Sequence, residues 1–349
     1  MLFTSLTMPG WLTAPNPLSR WTATEQIGLL FVTLFGLLLL TSIGSFINGL
    51  REQTQAELDD DDAASQARHL RRQRFARELK LVWFGATVFW GAWVSGPLGA
   101  TLLFGILSFL ALREFITLLH TRRGDHRSLI LAFFFILPLQ YALTGGRHFD
   151  LFSVLIPVYS FLAIPVASAL AGDPARYLER NAKIQWGIMV CVYGLSHAPA
   201  LLLLEFPGYL GRGAFLLFFL VAVVAFGQFV QLAASRRLRR RPVARHISRE
   251  FSMRAWWLGS LGAALMGSAL FWITPFDALQ AMAMAFIAAG AGSFGGLVML
   301  ALKRDAGVRS WGNLSSITGA VGLLDRIAVL CFAAPVFFHS VRWYFKLSL

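Results

Sequence analysis

Two stretches of this chain gather side chains that can handle phosphate. The first runs from Gln228 to Arg254 and carries eight arginines against one acid, Glu250. Its leading members are Arg236 and, further on, Ser248. A guanidinium presents a planar fork of donors that matches two phosphate oxygens at once. The second stretch opens with Lys303, Arg304 and Asp305, continues through Arg309 and Ser310, and closes with Gly322, Asp325 and Arg326. Charges at the edge of an apolar segment are costly and mark functional positions by default. The bland alternatives stay open beside these readings. An arginine-rich loop can simply fix the orientation of a membrane chain, and Asp325 can pair locally with an arginine while Lys303 reaches up to the membrane surface.

Familiar soluble-enzyme devices are missing. There is no GxxxxGK[ST] phosphate loop, no GxSxG elbow and no HExxH zinc helix. The two cysteines, Cys191 and Cys331, fall in apolar segments and read as packing. The four adjacent aspartates of 59–62 do not converge on one ion and read as a solvated linker. His197 reads as a hydrogen-bonded core histidine, with a proton relay as the alternative, and His339 as packing; Glu114, after Arg113, reads as half of a boundary ion pair.

The elements that must position these charges are apolar helices. Hydrophobic residues make up 56% of the 349 and charged residues only 14%, and mean hydropathy is +0.62. Runs such as 27–47, 151–170 and 215–232 are long enough to cross a hydrocarbon core, where only a helix can satisfy its own backbone. The expected fold is all-α, a polytopic transmembrane bundle. Ten spans are predicted, roughly 26–48, 81–96, 98–118, 128–144, 150–170, 183–204, 213–233, 256–273, 276–301 and 323–345. Residues 1–80 form a first span plus a charged linker, and 81–349 the main transmembrane domain.

Charge orients the bundle. With the N-terminus outside, the internal loops 49–80, 119–127, 171–182, 234–255 and 302–322 collect the arginines and lysines, while the external loops hold few. A bacterial inner membrane, with both termini outside, is the expected setting. The net charge of +13 then reflects cytoplasmic loops and anionic headgroups rather than nucleic acid. Glycines within 288–296 allow close helix approach, inside the bundle or in a homodimer.

The 303–328 stretch resembles the signature of the CTP:phosphatidate cytidylyltransferases, the CDP-diacylglycerol synthases. The resemblance rests on Lys303-Arg304, Gly319, Gly322 and Asp325-Arg326, and on the following Leu330-Cys-Phe-Ala-Ala-Pro-Val-Phe-Phe-His339. Upstream, Ser108-Phe-Leu-Ala-Leu-Arg-Glu-Phe115, Leu137-Pro-Leu-Gln-Tyr141 and Ser196-His-Ala-Pro-Ala-Leu201 also look like that family. The resemblance implies condensation of CTP with phosphatidic acid, giving CDP-diacylglycerol and pyrophosphate, with Mg2+ held by acids. Carried onto this chain, it implies Lys303 and Asp325 as catalytic residues and Arg304, Arg326, Arg309, Arg236 and Ser248 as phosphate or headgroup contacts. Asp325 and Asp305 are the metal candidates it leaves.

The chain departs from that signature mainly at acids. The family's Lys-Asp becomes Arg309-Ser310, its Gly-His-Gly-Gly turn becomes Gly319-Ala320-Val321-Gly322, and its closing acid becomes Ala328. Neither serine nor alanine replaces a carboxylate at a hard-cation site. Two functions are therefore expected to compete. One is an active cytidylyltransferase using CTP and Mg2+. The other is a relative that binds phosphatidic acid or another anionic lipid, or assists a partner enzyme, without transfer. In either case Arg236, Lys303, Arg304 and Arg326 are expected to face one polar cavity near Asp325.

Overall fold

Many large apolar side chains point away from this protein, among them Leu102, 66% exposed, Phe134, 67%, and Leu265, 69%. Polar ones point inward, with Ser108, Gln140, Thr144, Ser168, Ser196 and His197 fully buried. Lipid is the solvent that accepts that arrangement. The structure is a computed structural model that describes residues 22, 24–29, 31–33, 35–36, 39–40, 42–43, 83, 85–88, 90–117, 122–206, 209–238, 243–248, 251–308 and 322–347. The predicted linker 49–80 lies outside them.

Two compact units divide the chain, with the boundary between Ser95 and Gly96. In the smaller, 15–95, helical residues meet through aromatic rings: Phe31 lies edge-on to Trp90 at 4.5 Å and Phe35 to Trp83 at 5.4 Å. Trp83 Nε1 donates to Ser42 Oγ at 3.0 Å.

The larger unit holds eight helices among the described residues. These are α1 (Gly96–Thr117), α2 (Arg123–Gly145), α3 (Phe149–Ala169), α4 (from Tyr177 to Leu202), α5 (Gly213–Leu238), α6 (Met253–Ala269), α7 (Ala278–Asp305) and α8 (Leu323–Tyr344). Six of them, all but α4 and α6, are long and apolar enough to cross a membrane. A helical membrane bundle is thus as expected, but the count of ten spans is not established. Helix α4 carries Gln185, Tyr193, Ser196 and His197, and α6 has only 17 residues. The first predicted span, 26–48, and the second, 81–96, are described only in part.

Helices α2, α3 and α4 each contain a π-helical turn, at Ala132–Ile136, Leu155–Ser160 and Ile188–Gly194. Proline lies in or near each of them, at Pro138, Pro157 and Pro199. Proline lacks the N–H of the regular ladder and crowds the preceding turn, so a locally wider turn relieves it.

Small residues let the helices touch. A Cβ on Gly295 of α7 would stand 2.3 Å from Phe332 of α8, and one on Gly194 of α4 would stand 2.4 Å from the Cys331 carbonyl. The glycines of 288–296 thus serve contacts within the bundle.

Ion pairs tie the helix ends together in two sets. At one end Arg147 pairs with Glu205 at 2.6 Å, and Arg342 with Asp150 at 2.6 Å. At the other, the buried Arg180 reaches Asp173 at 2.6 Å and Asp125 at 2.8 Å. The Asp125 contact is one of charge rather than an aligned hydrogen bond. Arg180 also donates to the Ala175 and Asp173 carbonyls. It thereby joins the first turn of α2 to the loop before α4, two segments that the charge pattern assigns to the same side.

Candidate functional site

The site begins where α7 stops. Gly307 takes a left-handed conformation, φ +69°, which costs glycine nothing. Its N–H donates to the Arg304 carbonyl at 3.2 Å, and the Val308 N–H to the Lys303 carbonyl at 3.1 Å. This paired closure ends the helix firmly and leaves Lys303 and Arg304 in its last turn. Cations there face the negative end of the helix dipole, a favourable place worth about 0.3–1 kcal/mol each.

Helix α8 then starts at Gly322, again left-handed at φ +75°. A glycine at this position has no side-chain oxygen to cap the first free amides. The acceptor comes from α1. Glu114, only 3% exposed, receives the Leu323 N–H at 3.0 Å and the Leu324 N–H at 3.4 Å. Hydrogen bonds to a charged group contribute about 1.5–3 kcal/mol each. The positive end of α8 adds to the stabilisation of that carboxylate. The boundary ion pair read for Glu114 from the sequence misses this role.

Asp325 stands in the first turn of α8 and forms an ion pair with Lys303. The Lys303 side chain is 15% exposed and that of Asp325 32%, so the pair sits at a half-open surface. The C-terminal end of α7 and the N-terminal end of α8 therefore meet with charges that suit both dipoles.

The other expected site residues divide. Arg304 and Arg326 are exposed beside the pair. Asp305 lines a cavity of about 190 Å3 with Phe115, Glu179, Lys183, Trp186 and Leu302, and so borders a separate hollow. Arg236 is exposed in the last turn of α5, and Ser248 accepts the Phe251 N–H at 3.2 Å. Because α5 to α8 alternate in direction, the ends of these elements share one face of the bundle. Arg309 lies outside the described residues, as do Ser310 and Glu250. The Lys303–Asp325 contact brings together two residues of the cavity expected from the sequence.

Among the described residues, no three His, Cys, Asp or Glu side chains come together as a metal-ligand group. The Asp325 carboxylate is engaged by an ammonium, which competes directly with a cation. The donor set described does not fit Mg2+, which asks for near-octahedral oxygen ligands.

A second polar cluster lies toward the opposite end. His197 Nδ1 meets the Tyr193 carbonyl at 2.7 Å, and its Nε2 lies 3.3 Å from His339 Nε2. The Tyr193 hydroxyl stands 3.1 Å from the same His339 nitrogen. Gln140 Nε2 donates to Ser196 Oγ at 3.2 Å and to the Phe152 carbonyl at 3.3 Å. His197 is the hydrogen-bonded core histidine expected. His339, expected only to pack, is its partner. Fourteen residues separate His339 from Asp325 along α8, about 21 Å at helical rise.

Residues 75–344 match the cytidylyltransferase family. The uncharacterized protein YnbB of Escherichia coli (strain K12) is 35% identical over 266 residues, covering 75% of this chain and 85% of the relative.

Proposed function

Since the chain belongs to the cytidylyltransferase family, we propose that its Lys303–Asp325 face recognises the phosphate of phosphatidic acid, with CTP as co-substrate where transfer occurs. The observation that carries this reading is the meeting of Lys303 and Asp325 at the joined ends of α7 and α8, with Arg304 and Arg326 exposed beside them. In the transfer, an oxygen of the lipid phosphate attacks the α-phosphorus of CTP, the bond to the β-phosphate oxygen breaks, and pyrophosphate leaves. Lys303, Arg304 and Arg326 would offset the negative charge gathered by two phosphate groups. The arginine-rich face would lie on the cytoplasmic side of a bacterial inner membrane, where basic loops collect and where CTP is found.

A second reading has its own support. The described residues assemble no metal-ligand group, and Asp325 is held by Lys303. That favours a protein that binds the lipid phosphate without transferring a nucleotide. One assay separates the two: purified protein in mixed micelles with phosphatidic acid, labelled CTP and Mg2+, against a chelator control. Metal-dependent CDP-diacylglycerol establishes transfer. Bound phosphatidic acid without product establishes the second reading, and neither binding nor product rejects both.

A further inference from the structure

Two free amides of α8 point to a residue that the signature motif does not contain. Leu323 and Leu324 lead directly into Asp325 and Arg326, and Gly322 cannot cap them. Their hydrogen bonds end on Glu114, which lies more than two hundred residues earlier in the chain. Glu114 itself is buried, and six residues earlier the same helix makes a separate buried bond, from Ser108 Oγ to the Cys191 carbonyl of α4 at 2.5 Å. On the far side of the turn, Lys303 is fixed by the capped end of α7. The position of Asp325 relative to Lys303 is therefore set from two sides, by the α7 cap and by Glu114.

We infer that Glu114 is a positioning residue: its carboxylate holds the first turn of α8 so that Asp325 and Arg326 stand beside Lys303. Glu114 acts through the backbone of Leu323 and Leu324 and touches no ligand. The consequence for phosphate recognition rests on the reading of the Lys303–Asp325 face given above; the mechanical part does not. Were Glu114 removed, the orphaned amides of α8 would turn to water and the turn would fray. The cations would remain in the chain but lose their common geometry. The opposite role is also physically defined. A helix N-terminus attracts phosphate, and a carboxylate seated there could act as a plug, so that its removal would improve phosphate binding.

The test compares Glu114→Ala, Glu114→Gln and Ser108→Ala in the full chain, in lipid nanodiscs. Ser108→Ala removes a buried hydrogen bond from the same helix and reports general loosening of the bundle. Two quantities are read: hydrogen exchange at the amides of Leu323 and Leu324, and binding of vesicles containing phosphatidic acid. In Glu114→Ala, exchange at those amides rises by at least about tenfold and phosphatidic acid binding weakens by about tenfold, the size expected for losing hydrogen bonds to a charged acceptor. Glu114→Gln, which keeps an acceptor oxygen, recovers part of both, and Ser108→Ala leaves both near the parent values. Unchanged exchange in Glu114→Ala overturns the inference. So does an equal loss of binding in Glu114→Ala and Ser108→Ala, and so does a gain of binding, which would make the carboxylate a plug. If Glu114→Ala does not fold, Glu114→Gln decides in its place, and parental exchange there overturns the inference. If the parent protein binds no phosphatidic acid, the reading of the face fails, and the exchange measurement alone still decides whether Glu114 holds the turn.

Discussion

Lys303 closes one helix and Asp325 opens the next, and their charges meet. Each serves as counter-ion to the other, and each can be removed separately. Lys303→Met should weaken binding to vesicles containing phosphatidic acid by about fivefold, the worth of a half-exposed charge contact near 1 kcal/mol. Asp325→Asn releases the ammonium from its carboxylate and should strengthen the same binding by a similar factor. If transfer of CTP occurs, that variant should nonetheless lose it. Flotation of the protein with vesicles, with and without phosphatidic acid, measures the first two effects. Stronger binding by Lys303→Met would reject the assignment of Lys303 to phosphate.

Arg180 is buried between Asp125 and Asp173 and supports two loops. Arg180→Ala leaves a buried carboxylate without its counter-charge and should cost about 3–5 kcal/mol. Thermal unfolding in nanodiscs should show a large drop, with the Arg147→Ala change at an exposed pair giving little by comparison. Equal effects from the two would mean that Arg180 is not a fastening point.

Acid should reach the same corner. The Ala175 N–H and then the Arg180 guanidinium hold the Asp173 carboxyl below its ordinary range. A carboxyl depressed in the folded state contributes stability in full above its unfolded value, about 3.9, and loses it as pH falls through the lower, folded value. The melting temperature of the parent protein should therefore decline below about pH 4 more steeply than that of Asp173→Asn. Parallel curves would remove Asp173 as a source of acid sensitivity.

His197→Ala opens a cavity among Phe152, Tyr193 and Phe338 and leaves His339 without one partner. A loss of about 2–4 kcal/mol of stability is expected. Phosphatidic acid binding should stay within about twofold of the parent, because the cluster lies about 21 Å along α8 from Asp325. A selective loss of binding with stability kept would show that the two ends communicate.

The parts of this architecture that are legible in the sequence are those that local chemistry controls. Apolar runs mark the helices, and the basic loops sort them into two ends that the Arg180 and Arg342 contacts respect. Lys303 and Asp325 stand out because charge at a membrane boundary needs a reason. Glu114 stands out as a boundary charge, but its role does not, because its partners are backbone amides far along the chain and hydropathy carries no signal for an amide. One clue is present: Gly322 ahead of an apolar helix leaves the amides of Leu323 and Leu324 with nothing local to bind. The pairing of His339 is hidden for a related reason. Its partner His197 belongs to α4, and only the packing of α4 on α8 brings two imidazoles together. The count of ten spans is not established where polar side chains interrupt α4 and where α6 is short, because length and hydropathy alone do not decide such helices.

The π-helical turns of α2, α3 and α4 bear on how this chain should be compared with others. Bonding from residue i to i+5 fits one more residue into a turn than the regular ladder does. Each such turn is a place where the chain can hold or lose a residue while the helix on either side keeps its facing. Relatives without the wider turn would be a residue shorter there, and a strict position-by-position comparison would set Gln140, Ser160 or His197 against the wrong neighbour. Correspondence between such proteins is better drawn separately on each side of the turn, anchored on contacts such as Ser108 with the Cys191 carbonyl.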